Sequence, residues 1–288
     1  MARNESTSSG SVPPVQGQAP EGIIMPEDPA PGTVVAAFFD VDNTIIRGAS
    51  SFHLAIGLYK REFFRVRDLL FASVQQLRYV LVGEDNDQIG SVRDRALLVI
   101  KGHSVAEVTA IGEEVYEQAL VSRIFPGTRK ILDAHLAAGH EVWLITAAPV
   151  EIGALIAQRL GATGALGSVA EHVDGIYTGR LVGELMHRES KVEGARELAE
   201  RRGIDLAASY AYGDSANDIP LLSTVGFPCA INPEPRLRRH ASEHGWPMRE
   251  FRGKRRIAKR SLKTASWAGA AWVLGLVARS LTRTIRGR

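Results

Sequence analysis

Residues 34–39 read VVAAFF, an unbroken apolar run of strand length that stops at Asp40. A strand with one wet face alternates apolar and polar residues. A continuous run instead suits a strand covered on both sides, as in a parallel sheet flanked by helices. Comparable runs recur at residues 140–146 (HEVWLIT), 209–212 (SYAY) and 226–231 (GFPCAI), with helical patterns at 150–160, 190–202 and 217–222 among them. This alternation predicts an α/β fold built on an open, doubly wound parallel sheet.

One connection is too long for a plain crossover. From Gly48 to about Phe125 the chain runs for some 75 residues, many in helical pattern, where a dozen would suffice for a crossover. They predict a small helical cap over 48–125, inserted into a core made of 33–47 and 126–251. The stretch HVDGIYTGRLV, from His172, reads as a hairpin turning at Asp174-Gly175. Residues 1–32 hold six of the thirteen prolines and no apolar periodicity, which predicts a disordered leader. That leader lacks the basic start and apolar stretch of a signal peptide, so the folded part is expected in the cytoplasm.

The net charge of +3 conceals a split. No acidic residue follows Glu250, while residues 252–288 carry eleven Lys or Arg; the remaining 24 basic residues face 32 acidic ones. The single cysteine, Cys229, excludes an internal disulfide and a Cys-rich zinc site. Arg236 lies one residue too far away for a Cys-x5-Arg phosphatase motif, and Cys229 reads as a core residue at the end of an apolar strand.

Directly after the first run comes DVDNT. Asp40 and Asp42, two apart in an extended segment, are expected to point to one side, where they could hold a divalent metal and divide nucleophilic and proton-transfer work. A strand end capped by turn formers, or a bare metal site as in some sugar transferases, would also use Asp-x-Asp. In YGDSANDIPLL, Gly213 permits a tight turn and Asp214 stands at a strand's carboxyl end, where ligands of open α/β sheets gather. Asp218 follows one helical turn later with Asn217 beside it, and a helix start alone would not ask for that second carboxylate. LITAAP ends another strand at Thr146, a natural phosphate seat before a helix beginning near Val150. Lys191 opens the next helix, and by itself would be a solvated surface residue.

The order of these pieces, DVDNT, a strand-ending Thr, a Lys and GDSxxND, resembles the four motifs of the haloacid dehalogenase superfamily across about Val34 to Phe251. The insertion after the first motif and the hairpin before Lys191 resemble its phosphoserine phosphatase-like branch, and the basic, apolar tail resembles actinobacterial members of that branch. The resemblance implies a Mg2+-dependent phosphatase working through an aspartyl-phosphate. Asp40 would be the nucleophile and Asp42 the acid and then the base, its pKa raised by its neighbours. Asp40, the backbone carbonyl of Asp42 and Asp214 would ligate Mg2+, with Asp218 orienting that shell. Thr146, Ala147, Lys191 and Asn217 would bind the phosphoryl group. Relatives that are dehalogenases lack the second aspartate and the ion pumps carry threonine there, so Asp42 favours a phosphatase or phosphotransferase.

The implied substrate is a small phosphomonoester, phosphoserine or a related metabolite, or a lipid-derived phosphate. The branch places a Glu shortly after its first motif, where this chain has RGASSFHL without an acid, and its Ser-Gly-Gly is here Thr146-Ala147-Ala148. Arg95, or Arg93, could match the carboxylate-binding arginine of the cap. The tail joins a basic cluster (KRRIAKRSLK, 254–263) to an uncharged stretch over 264–278 holding Trp267 and Trp272. Fifteen helical residues span about 22 Å, short of a bilayer core of ~30 Å, so an interfacial helix on an anionic membrane surface fits at least as well as a span. No nucleic-acid partner is expected. Two other classes remain open: a phospho-accepting receiver, disfavoured because Val192 rather than proline follows the Lys, and a non-catalytic, membrane-tethered scaffold.

Overall fold

The computed structural model describes residues 32–61, 97 and 100–252. The expected leader, the middle of the insertion with Arg93 and Arg95, and the tail from 253 onward lie outside the described residues. Among the described residues no helix is long and apolar enough to cross a membrane.

Seven strands form one sheet in the order β4-β3-β2-β1-β5-β6-β7. They are β1 (Ala36–Asp40), β2 (Glu141–Pro149), β3 (Gly164–Val173), β4 (Ile176–Val182), β5 (Tyr210–Gly213), β6 (Phe227–Ile231) and β7 (Met248–Arg249). Every pairing is parallel except the β3–β4 hairpin at one edge. The apolar runs therefore became central strands, as their two-sided burial requires.

The alternation of side chains along β1 assigns the two layers. Val35, Ala37 and Phe39 face one apolar cluster together with Val142, Leu144, Tyr210 and Tyr212. Helices α1 (Ser50–Lys60), α2 (Val105–Val115), α3 (Pro126–Ala137) and α4 (Val150–Leu160) fill it with Leu54, Val108, Leu132 and Ile152. Ala36 and Phe38 face the opposite cluster, filled from α5 (Glu189–Arg202), α6 (Ile219–Leu222) and α7 (Pro235–Glu243) by Ala195, Leu221 and Leu237. Phe39 and Phe38 are both fully buried, and truncating either to alanine would cost about 3–5 kcal/mol.

Three local readings needed revision. The first half of β3 joins the main sheet beside β2 (Trp143↔Gly164, Leu144↔Ala165) before the chain enters the expected hairpin. GALGS has too little β-branched or aromatic content to announce that strand. Residues 217–222 are not one helix: a 3₁₀ turn (Ala216–Asp218) precedes α6. In the insertion, residues 100–104 form a turn with Gly102 at φ +80°, and α2 starts only at Val105 behind the Ser104–Glu107 capping box. The hairpin itself turns as expected, with Asp174 at φ 50° and Gly175 at φ 76°, the type I′ signature.

From β1 the chain builds outward through β2 and β3 on one side, then returns to place β5, β6 and β7 on the other. The carboxyl ends of β1 and β5 thus flank a topological switch point, where open α/β sheets bind ligands.

Candidate active site

Asp40 is the last residue of β1 and is buried. Its register partner is Ile145 on β2, and Phe39 pairs with Tyr212 on β5. Parallel pairing therefore brings Thr146 to one side of the Asp40 tip and Asp214 to the other, although the three are up to 174 residues apart in sequence. Oxygens of Asp40, Asp214 and Asp218 lie within 4.8 Å of one another.

Lys191 joins this group from the first turn of α5. It is almost fully buried, and its Nζ donates to Oδ1 of Asp40 and to Oδ1 of Asp218, both at 2.6 Å. Burial opposes its charge, but the carboxylates of Asp40 and Asp218 outweigh that and hold its pKa above the ordinary lysine value. For Asp40 burial is the largest influence and raises its pKa well above the usual carboxylate range; Lys191 opposes the rise, and Asp218 and Asp214 add to it. The rise at Asp40 thus comes first from burial and then from the two carboxylates of the fourth motif.

Asp218 does not sit on a helical face with Asp214, which precedes the 3₁₀ turn. Its Oδ2 instead folds back to accept from the amides of Asp214 (3.2 Å) and Ser215 (3.1 Å) and from Ser215 Oγ (2.9 Å). A helix-start capping box therefore does account for one of its oxygens, which the spacing had seemed to exclude. The other oxygen takes Lys191, so Asp218 is committed to positioning its neighbours. The tight turn also explains Gly213, which lies within β5: a Cβ there would come within 2.5 Å of Asp218 Cβ. Its hydrogen side chain makes room for Asp218, rather than freeing a left-handed turn.

Asp42 leaves the strand through a sharp reversal in which Asn43 adopts φ 60° and accepts from the Gly48 amide through Oδ1 (3.0 Å). Asp42 is half-buried, and its Oδ1 accepts from the Ser50 amide at the start of α1 (2.7 Å). Its side chain does not join the three-carboxylate group. Thr146 is buried, and its Oγ1 accepts from the Ala148 amide (3.1 Å). Ala147 is exposed and its carbonyl accepts from Ser168 Oγ; Asn217 is half-buried in the 3₁₀ turn.

Several supporting residues escaped the motifs. Asn232, at the end of β6, donates through Nδ2 to the Asn43 carbonyl (3.0 Å) and accepts from the Phe251 amide through Oδ1 (2.6 Å), tying the DVDNT loop to the end of the described chain. Glu234 accepts from the Ala216 amide and donates its own amide to the Asp214 carbonyl, both at 2.8 Å. Asn232 follows an apolar strand just as Asp40 does, which is the signal that could have found it; nothing marks Glu234. Cys229 is the buried core residue expected, its thiol pushed up to about 12 by burial.

Residues 37–223 match the sequence family of haloacid dehalogenase-like hydrolases. The chain belongs to that family. Similar proteins include the Mycobacterium tuberculosis phosphoserine phosphatase SerB1, 49% identical over 237 residues, covering 82% of this chain and 77% of that protein. The histidinol-phosphatase of Neisseria meningitidis is 28% identical over 221 residues, covering 75% of this chain and 98% of its own. A solved protein of unknown function from Bordetella pertussis superposes with a TM-score of 0.66 at 29% identity, over 76% of this chain and 99% of that one. The fold is also that of a substrate-bound phosphoserine phosphatase (TM-score 0.53, 20% identity, 79% and 98% covered).

In this hydrolase the donor set at the switch point is all carboxylate oxygen, the chemistry hard divalent cations prefer. Lys191 is hydrogen-bonded to two of those acids, Asp40 and Asp218. A divalent ion there would offset the excess negative charge that burial makes costly.

Proposed function

We propose that this hydrolase is a Mg2+-dependent phosphatase of a small phosphomonoester, phosphoserine or a related metabolite. The observation that carries the reading is the Lys191 bridge between Asp40 and Asp218 beside Asp214, at the one crevice where the sheet topology places ligands. Asp40, Asp214 and the backbone carbonyl of Asp42 would hold Mg2+, which supplies positive charge against the phosphate oxygens. Lys191, Thr146 and the backbone after it, including Ala147, would seat the phosphoryl group, with Asn217 at its rim.

Asp40 attacks phosphorus and the ester P–O bond breaks, while Asp42 gives its proton to the departing alkoxide. Water then attacks the phosphorus of the aspartyl-phosphate, Asp42 takes its proton, and cleavage of the P–O bond to Asp40 frees inorganic phosphate. Lys191 fixes one oxygen of Asp40, which orients the other for attack. Burial strengthens each of these charge interactions, because water does not screen them.

The names carried by the mycobacterial and neisserial relatives support a small metabolite as substrate. The buried Ser50 Oγ, next to the amide that holds Asp42, has no protein hydrogen-bond partner and suits a polar substrate group. Hydrolysis of para-nitrophenyl phosphate with Mg2+ by the wild type, followed by a panel with phosphoserine, histidinol phosphate and lysophospholipid phosphates, tests the reading. Activity that survives both Asp40→Asn and chelation would dismiss it. Membrane contact by residues 252–288 rests on their sequence: their deletion is expected to release the protein from anionic liposomes, and unchanged co-sedimentation would refute that.

A further inference from the structure

A second cluster of metal-ligating side chains lies at the far edge of the sheet, outside the phosphatase machinery. His240 and Glu243 belong to the last turn of α7 and His244 caps it; one ligand atom from each falls within 4.8 Å of the others. Two histidines one turn apart share a helix face, a spacing that zinc-binding helices use, and Glu243 lies between them on the same side.

The surroundings select a tautomer. His244 Nδ1 lies 2.9 Å from the His240 carbonyl, which can only accept, so Nδ1 carries the proton and Nε2 keeps its lone pair. A ring nitrogen held this way is the usual arrangement of a metal-ligating histidine. His240 Nε2 is buried and has no hydrogen-bond partner, an unsatisfied state that a ligand would relieve. The two rings stack at 4.0 Å and Trp246 packs edge-on to His240 at 4.9 Å, which keeps the imidazoles together, and one ring tilts out of the stack for both lone pairs to meet an ion. His244 and Glu243 are exposed, so an ion can enter and keep a water ligand.

We infer that His240, Glu243 and His244 form a binding site for a transition-metal dication, Zn2+ above all. Two imidazoles and one carboxylate suit zinc, nickel or copper and do not suit Mg2+, which demands oxygen ligands and retains its waters. The chain thus carries two metal sites of different chemistry, an oxygen site at the switch point and a nitrogen-rich one on α7. Zinc at the second would staple the end of α7 to the turn that leads into β7.

The test is isothermal titration of the full chain with Zn2+ at pH 7.5 in millimolar Mg2+, which fills the oxygen site, with Co2+ absorption as a report on nitrogen ligation. Wild type and Asp214→Asn are expected to take up a single equivalent with the same affinity. His244→Ala and Glu243→Gln, both at exposed positions, should weaken it at least tenfold while leaving the Mg2+-supported phosphatase rate and the metal-free melting temperature unchanged. Absence of zinc binding in the wild type, or equal binding by His244→Ala, overturns the inference. Loss of binding in Asp214→Asn does the same, since the ion would then be in the other site.

Discussion

Two polar clusters are buried against the same central strands, and they differ in charge. At the strand tips Asp40, Asp214 and Asp218 gather, and Lys191 bridges Asp40 and Asp218. Deeper in the sheet, His135 of α3 shares a hydrogen bond with the Tyr212 hydroxyl (2.8 Å) and another with His140 Nδ1 (2.9 Å), while Phe39 stacks on Tyr212 at 4.4 Å. Burial and then the neighbouring His140 push His135 down to about 3, and burial raises Tyr212. This inner cluster is therefore neutral at pH 7, and both ring nitrogens of His135 are partnered. A neutral, satisfied network specifies packing, whereas a buried excess of like charge is unfavourable for folding and is the kind of arrangement that binding an ion or substrate relieves.

The sharpest way to break this contrast is to neutralise one member of each cluster. Asp40→Asn is expected to lower kcat/KM by more than about 10³-fold, as loss of a nucleophile does. Burial raises the folded-state pKa of Asp40, so its favourable contribution to stability is fully present only below the unfolded value and is lost as pH rises. In metal-free protein above neutral pH, Asp40→Asn should then leave the melting temperature unchanged or higher. A large fall would show that the cluster is structural.

Acid stability separates the inner cluster. The depressed pKa of His135 means that the unfolded chain binds the extra proton first, so stability falls as pH drops from about 6.5 toward 3, by roughly 4–5 kcal/mol in total. His135→Leu should flatten that slope. At pH 8 it should also destabilise by about 2–3 kcal/mol, since it strands the Tyr212 hydroxyl, with kcat/KM within about twofold of wild type. Denaturant melts across the pH range check both.

Gly213→Ala probes how the tip cluster is held. The new Cβ would displace Asp218 and with it Lys191, so kcat is expected to fall by about 10–100-fold, without the pH slope of the inner cluster changing. The smallest effect belongs to the insertion: Ser104→Ala removes both the hydroxyl that caps α2 and its bond to Glu107, and should cost about 1 kcal/mol by thermal melting with little change in rate.

The two clusters also differ in how far the sequence revealed them. Asp40, Thr146 and Asp214 each end or follow an apolar run, and parallel pairing must align the ends of such runs, so these three could be placed on one edge before any coordinates. Lys191 was legible only through its order among the motifs, because a helix-opening lysine looks like any surface lysine. His135 and Tyr212 carried no signal: a histidine in an amphipathic helix and a tyrosine in a strand are ordinary core residues until the β1–β5 register and the packing of α3 bring them together. Asp218 was found for a reason only half right, since its second oxygen serves the local turn. The β3 strand was hidden by its glycines and small residues, whose sheet pairing comes from tertiary context rather than propensity.

The central claim is that Asp40 carries the phosphoryl group and Asp42 moves the protons. Asp42→Asn protein should be mixed with radiolabelled substrate and Mg2+, quenched in acid and counted. Label bound to the protein, released by hydroxylamine as an acyl phosphate is and absent when Asp40→Asn is added, is the predicted result; turnover with no trapped label, or label that persists in the Asp40→Asn chain, would contradict it.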